Sequence, residues 1–293
     1  MHPRVAYVTH RGSAPPDPDI SVALAGLESA GLDAQTCAWD GHTEWDEFDL
    51  VLVRSPWDHA TRRQDFLRWA RRVEGVTRLA NSAVTFARNT DRTYLRDLHG
   101  HGLPVVDTVW FEPGDDPDTL ASQIRARGWQ RCTVRPHVGT GGAGVEAVDG
   151  PEEAAVAAHD LAVHGAVAMV RNASWSGHGR RLSVVMLGGR VSHAVLTSDD
   201  RGPTGAAVET DLPEPLVDLA ASVHAVAAAG EELLYARIDL IDDEDQWVLG
   251  AFEATDPCLF LEASPDAAVR LGHTVREWIM PEAQAADFLV GSG

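Results

Sequence analysis

A chain of 293 residues can bury the core of one large domain or of two packed ones, and its formal charge of −20 repels the phosphates of a nucleic-acid partner. No apolar run reaches the roughly 18 residues of a membrane span. Cys37, Cys132 and Cys258 are too scattered for a disulfide framework, and the N-terminus lacks the apolar stretch and cleavage site of a signal peptide, so a cytoplasmic chain with neither a membrane nor a nucleic-acid partner is expected.

Over the first hundred residues strand and helix signals alternate. Val5–Thr9 is a short apolar strand, Ile20–Ala30 carries apolar residues at helical spacing, and Leu32–Ala38 is a second strand. "DLVLVRS" (Asp49–Ser55) is almost continuously apolar, as a buried parallel strand is, and Thr61–Val73 is an amphipathic helix. This rhythm predicts a small parallel sheet covered by helices, with its functional edge at the carboxyl ends of the strands. "VTHRG" (Val8–Gly12) and "RSPWDH" (Arg54–His59) lie at that edge.

Beyond residue 100 the pattern changes. Leu103–Phe111 is expected as a strand and Asp118–Arg127 as a helix. "TVRPHVGTGGAGVEAV" (Thr133–Val148) is two strands joined by a glycine turn. Pro151–Val163 is then a helix and Val167–Asn172 a strand. Arg180–Thr197 is a hairpin, because Gly188-Gly189 suits a two-residue turn needing positive φ. Leu216–Ala229 is helical. Leu233–Leu240 and Gln246–Thr255 are strands around the acidic Asp242–Asp245 turn, and Pro265–Ile279 is a last helix. The class is α/β followed by a mostly antiparallel α+β region.

The order of these elements resembles the ATP-grasp superfamily, and more closely its short bacterial members that include a cyclo-ligase of cycloserine biosynthesis. "FDLVLVRSPWD", "NTDRTYLRDL", "GGRVSHAV", "LLYARIDL" and "DPCLFLEASPDAA" carry the resemblance, which covers nearly the whole chain. It implies an N-terminal α/β domain at 1–84 and an ATP-grasp region at 85–293. The latter would comprise a glycine-loop subdomain at about 110–172 and a C-terminal subdomain at about 173–293.

The resemblance also implies a cleft between those two subdomains. The glycine turn (Gly141, Gly142, Gly144) would close over phosphates or another anion, since bare backbone N–H groups approach such oxygens closely. Arg92 and Arg135 stand where members usually have lysines, and keep the charge with a fork suited to phosphate. Arg237 and Asp239 alternate onto one face of a strand, which in the family looks into the site; a buried ion pair is the alternative. Glu253 on the next strand is a candidate acid–base group and, with Asp239, would hold one magnesium ion but not two, because Ala251 stands where members of the family usually have the glutamate that bridges two. His193 is placed as a proton-transfer candidate or a packed strand histidine. Arg54, Trp57, Asp58 and His59 fall on the acceptor-substrate side, with Arg54 suited to clamp a carboxylate.

Three functions are compatible with these residues. The first is an ATP-independent enzyme on this fold, dehydrating or cyclising a small carboxylated or amino-acid-like molecule of specialised metabolism, with no cofactor. The second is an ATP- and magnesium-dependent carboxylate–amine ligase working through an acylphosphate, and the third a non-catalytic anion- or nucleotide-binding protein. The loss at Ala251 favours the first. A homodimer fits the resemblance, since relatives of this fold often dimerise.

Overall fold

The computed structural model describes residues 2–12, 17–139, 144–173, 180–197, 207–243, 246–264 and 266–280. Three sheets follow one another along the chain. The first is parallel. Strands β1 (Arg4–Thr9), β2 (Asp33–Ala38), β3 (Leu50–Ser55) and β4 (Leu79–Ala80) lie in the order β2-β1-β3-β4, with α1 (Ile20–Ser29) and α2 (Arg63–Glu74) between them. All six residues of β3 are buried, which accounts for its uninterrupted apolar run. One side of this sheet packs on Trp39, Trp45, Phe66 and Trp69; the other meets α1 and the C-terminal helix.

Two short helices follow, α3 (Ala83–Asn89), capped by the Ser82 hydroxyl, and α4 (Tyr94–Gly100). Next comes an antiparallel sheet built from β5 (Val109–Phe111), β6 (Arg131–Pro136), β7 (Glu146–Asp149) and β8 (Ala168–Asn172), ordered β5-β8-β6-β7. Helices α5 (Pro117–Ala126) and α6 (Gly150–Val163) cover its outer face. The expected strand Leu103–Phe111 is a strand only over its last three residues. Pro104 has no N–H to give to a ladder. Residues 104–106 instead clip onto Leu249, whose N–H donates to the Pro104 carbonyl at 2.6 Å while the Val106 N–H donates back to Leu249 at 3.0 Å.

The third sheet, ordered β11-β10-β9-β12-β13, is also antiparallel. It is made of β9 (Arg181–Leu187), β10 (Arg190–Thr197), β11 (Ala207–Glu209), β12 (Tyr235–Asp243) and β13 (Gln246–Glu253). The hairpin turns at Gly188 and Gly189 with φ of 55° and 74°, as the dipeptide predicts. Helix α7 (Glu214–Ala228) packs behind it. Helix α8 (Ala267–Ile279) returns to the N-terminal layer and crosses α1 so closely that a Cβ on Gly26 would lie 2.2 Å from the Ala268 carbonyl oxygen. Asn81 ties the layers together: its amide donates to the Tyr235 and Ala254 carbonyls and accepts from the Leu234 N–H. No helix among the described residues is long and apolar enough to cross a membrane.

Candidate functional site

On the third sheet, the register sets Arg237 opposite Glu253 and Asp239 opposite both Ala251 and Ser183. Residues directly opposite one another share a face. These side chains therefore form one polar patch on a face of the sheet. Arg237 grips Asp239 with two hydrogen bonds of 2.8 Å, one to each oxygen, and the Ser183 hydroxyl donates to Oδ1 at 2.7 Å. Burial alone would raise the Asp239 carboxyl, but Arg237 and Ser183 outweigh it and hold the group below its usual range. Arg237 also donates to the Cys258 carbonyl at 3.1 Å.

Glu253 differs. Burial pushes its carboxyl above the usual range even though Arg92 and Arg237 pull the other way. Arg92 lies 3.9 Å from it. Arg92 also donates to the Gly139 carbonyl at the stem of the glycine turn, which ties the linker to that turn. A small cavity here is lined by His59, Arg92, Tyr94, Glu253, Thr255 and Asp256. It is where the N-terminal domain, the linker and β13 meet.

On the second sheet, Arg135 is opposite Met169 and Thr133 is opposite Arg171, so the two arginines are diagonal neighbours on one face. That face looks toward the third sheet, since Met169 packs in the core beneath β12 and β13. Arg171 reaches across, donating to Thr108 Oγ1 at 2.9 Å and to the Gly250 carbonyl at 3.2 Å, next to Ala251. Burial, and after it the charges of Arg92 and Arg171, brings Arg135 down to about 9; burial brings Arg171 down to about 10, with Arg92 and Arg181 adding to it. Gly144 has φ of 74° and sits against the Pro136 ring, so its glycine is required; Gly141 and Gly142 lie outside the described residues.

The N-terminal candidates are mostly engaged within the protein. Arg54 is 1% exposed, donates to the Pro257 carbonyl at 2.6 Å and lies over the Tyr235 ring at 4.7 Å. Its fork is not presented to the cavity. Asp58 accepts from the Trp39 indole at 2.7 Å and pairs with Arg62. Trp57 is half-buried beside His10. His59 does reach the cavity wall, with Nε2 3.3 Å from Asp256, and burial keeps its pKa low. His193 Nε2 donates to the Leu259 carbonyl at 2.8 Å, deep in the sheet, and burial lowers its pKa too. This is the packed strand histidine of the two alternatives.

The chain is similar to known proteins along its length. A family model described as the N-terminal domain of D-cycloserine synthetase DcsG matches residues 5–81. The cycloserine biosynthesis protein DcsG of Streptomyces lavendulae is 29% identical over 300 residues, covering 94% of this chain and 99% of the relative. The crystal structure of D-cycloserine synthetase DcsG superposes with a TM-score of 0.84 at 28% identity, covering 94% of this chain and 99% of that one. The chain is an enzyme of the ATP-grasp fold. A D-alanine–D-alanine ligase from Bacillus anthracis shares the fold at a TM-score of 0.70 and 14% identity, over 97% of this ATP-grasp chain and 99% of the ligase.

The residues present do not fit a pair of magnesium ions. Magnesium takes hard oxygen ligands, chiefly carboxylates and phosphates. Both Asp239 oxygens are already bonded to Arg237, Ala251 offers no oxygen, and Arg171 places a cation beside it. Among the described residues no group of three or more histidine, cysteine, aspartate or glutamate side chains is arranged to hold a metal. Four residues of the site were not singled out in the sequence: Arg171, Tyr94, Ser183 and Asp256. Arg171 had a usable signal, a lone cation closing an apolar strand, as Arg135 does.

Proposed function

We propose that this ATP-grasp-fold enzyme belongs to specialised metabolism and acts on a small carboxylated or otherwise anionic molecule by acid–base chemistry, such as dehydration or cyclisation, without magnesium-dependent phosphoryl transfer. Likeness to a cycloserine biosynthesis protein supports the metabolic setting. The observation that carries the chemistry is the saturated Asp239 facing Ala251. Phosphoryl transfer relies on metal ions to neutralise the transferring group, and here the carboxylate that would hold them is bound to a guanidinium.

Glu253 is the acid–base group in this reading. Its raised pKa keeps a proton available closer to neutral pH, and Arg92 beside it offers a partner for a substrate anion. One carboxyl suffices for a dehydration. It gives its proton to the departing hydroxyl, which leaves as water, and then takes the proton the substrate releases, ending as it began.

A carboxylate–amine ligase is the second reading. The whole-length likeness to a synthetase favours it, as do Arg92 and Arg135 around the glycine turn. Mass spectrometry separates the two when the protein is incubated with a panel of amino-acid-like carboxylates. A product lighter by one water in nucleotide-free buffer, lost in Glu253→Gln, is expected. Product formed only with ATP, together with ADP, would establish the ligase instead.

A further inference from the structure

A second cavity lies behind the third sheet, away from the cleft. Glu253 lines the cleft cavity, and alternation along β13 turns its neighbour Phe252 the opposite way, into the core beneath α7. There Phe252 floors a pocket of about 620 Å³, its open mouth included, walled by α3, α4 and the end of α7. That is the size of a small-molecule site. Thr85, Arg88 and Asn89 recur at helical spacing on α3, and Tyr94, Asp97 and Leu98 do so on α4, so each helix gives the pocket one face.

The inside of this pocket is apolar and its rim is charged. The polar atoms of the wall are spent on β13: the Asn89 amide donates to the Phe252 carbonyl at 2.7 Å and accepts from the Ala254 N–H at 2.8 Å, and the Tyr94 hydroxyl donates to the Phe252 carbonyl at 2.8 Å. Carbon atoms of Leu98, Val226 and Ala227 complete the interior. Four charged or titratable side chains remain. Glu231 accepts from the Ser82 hydroxyl at 2.7 Å, and His101 is tied through Nδ1 to the Asp97 carbonyl at 2.7 Å. Arg88 and the Asp97 carboxylate are exposed, and neither has a hydrogen-bond or ion-pair partner among the described residues.

The two signs of charge are held apart. Ser82, which positions Glu231, is the N-cap of α3, whereas Arg88 lies in its last turn, about 9 Å along the axis. The carbonyl end of α7 carries partial negative charge and adds to the Glu231 side. With Asp97 the lining holds two carboxylates to one guanidinium, so an ammonium is the indispensable part of a complementary ligand. A carboxylate for Arg88 and an apolar body between the two complete it. An α-amino acid carries both charges on one carbon, whereas a dipeptide spans about 7 Å and matches the separation better.

We propose that this pocket is a second small-molecule site, for a zwitterion of dipeptide length with apolar side chains, its ammonium toward Glu231 and its carboxylate toward Arg88. Asn89 and Tyr94 line both cavities, so the ligand packs on the wall that clamps β13 beside Glu253. The site is independent of which reaction the cleft performs.

The test is calorimetric titration of the full chain with leucyl-leucine, in buffer free of nucleotide. Saturable binding with a Kd of about 1 mM or tighter is expected. Leucine should bind at least about fivefold more weakly, and N-acetyl-leucyl-leucine amide, which has neither charge, more weakly still. Arg88→Gln, on the exposed face of α3, should weaken leucyl-leucine about fivefold. Ala227→Phe, which fills the pocket, should abolish binding while the thermal melt shows a folded protein. Glu253→Gln, on the other face of β13, should leave binding as it is. Absence of binding to the wild-type chain, or binding indifferent to Arg88→Gln, would overturn the proposal. Binding lost in Glu253→Gln but kept in Arg88→Gln would also overturn it, by placing the dipeptide in the cleft.

Discussion

Arg54, at the carboxyl end of the parallel sheet, and Arg171, at the end of the glycine-turn sheet, are both enclosed guanidiniums, and their surroundings push them in opposite directions. Burial disfavours the charge on each. Around Arg54 this is outweighed by Tyr7, Tyr235, Asp17 and Asp19, and its pKa is raised. Around Arg171 the neighbouring charges include further arginines, and its pKa falls to about 10. The edge of the N-terminal sheet is therefore electrostatically closed: Asp19 is itself capped by the Leu259 and Leu261 N–H groups, and Asp17 by the Tyr7 hydroxyl. The cleft between the antiparallel sheets instead brings Arg92, Arg135 and Arg171 near Glu253 and Asp256.

The largest effect expected is at the one place where the cleft is closed. Asp239→Ala leaves Arg237 buried without its carboxylate, and urea denaturation should show a loss of about 3–5 kcal/mol. Converting both residues, Arg237→Met with Asp239→Ala, should restore most of it. If the single variant costs less than about 1 kcal/mol, the pair is not the anchor described.

Next in size is the contrast itself. Arg54→Met removes a cation from among acidic groups along with its bond to Pro257, and should cost about 2–3 kcal/mol. Arg171→Met loses two hydrogen bonds but relieves crowding among like charges, and should change stability by about 1 kcal/mol or less. Equal losses in the two denaturation curves would mean that the environments do not differ as argued.

The smallest effect concerns Glu253 and is sharpened by pH. Its folded-state pKa is raised, so the folded protein holds this proton longer than the unfolded chain does. The resulting penalty is absent below the unfolded value near 4.3, and grows as pH rises through the window up to the folded value. Glu253→Gln should therefore stabilise the protein modestly at pH 7 and make no difference near pH 3. A variant that is less stable at pH 7 would place Glu253 among the satisfied, ionised carboxylates.

Much of this architecture was legible in residue patterns. The continuous apolar run at Leu50–Ser55, the glycine pair at 188–189 and the helical spacing of α1, α2, α5 and α6 each report a local constraint, and the fold obeys them. Pro104 marked the break that the single strand expected at Leu103–Phe111 overlooked. The site was harder. Alternation correctly put Arg237, Asp239 and Glu253 on one face, but whether Asp239 is open to a ligand depends on a bidentate bond and on Ser183, fifty-six positions away in sequence. Arg54 ends a buried strand in the same way whether its fork faces a cleft or a carbonyl of residue 257. Contacts between distant segments decide such cases, and strand periodicity carries no record of them.

The central claim is that this cleft no longer works as a magnesium–nucleotide site. Calorimetric titration with a non-hydrolysable ATP analogue, with and without magnesium, addresses it most directly. The account predicts that magnesium adds nothing to whatever heat the phosphates produce. Micromolar binding that appears only with magnesium would contradict it, and would make Asp239 and Glu253 the metal ligands of a working ligase.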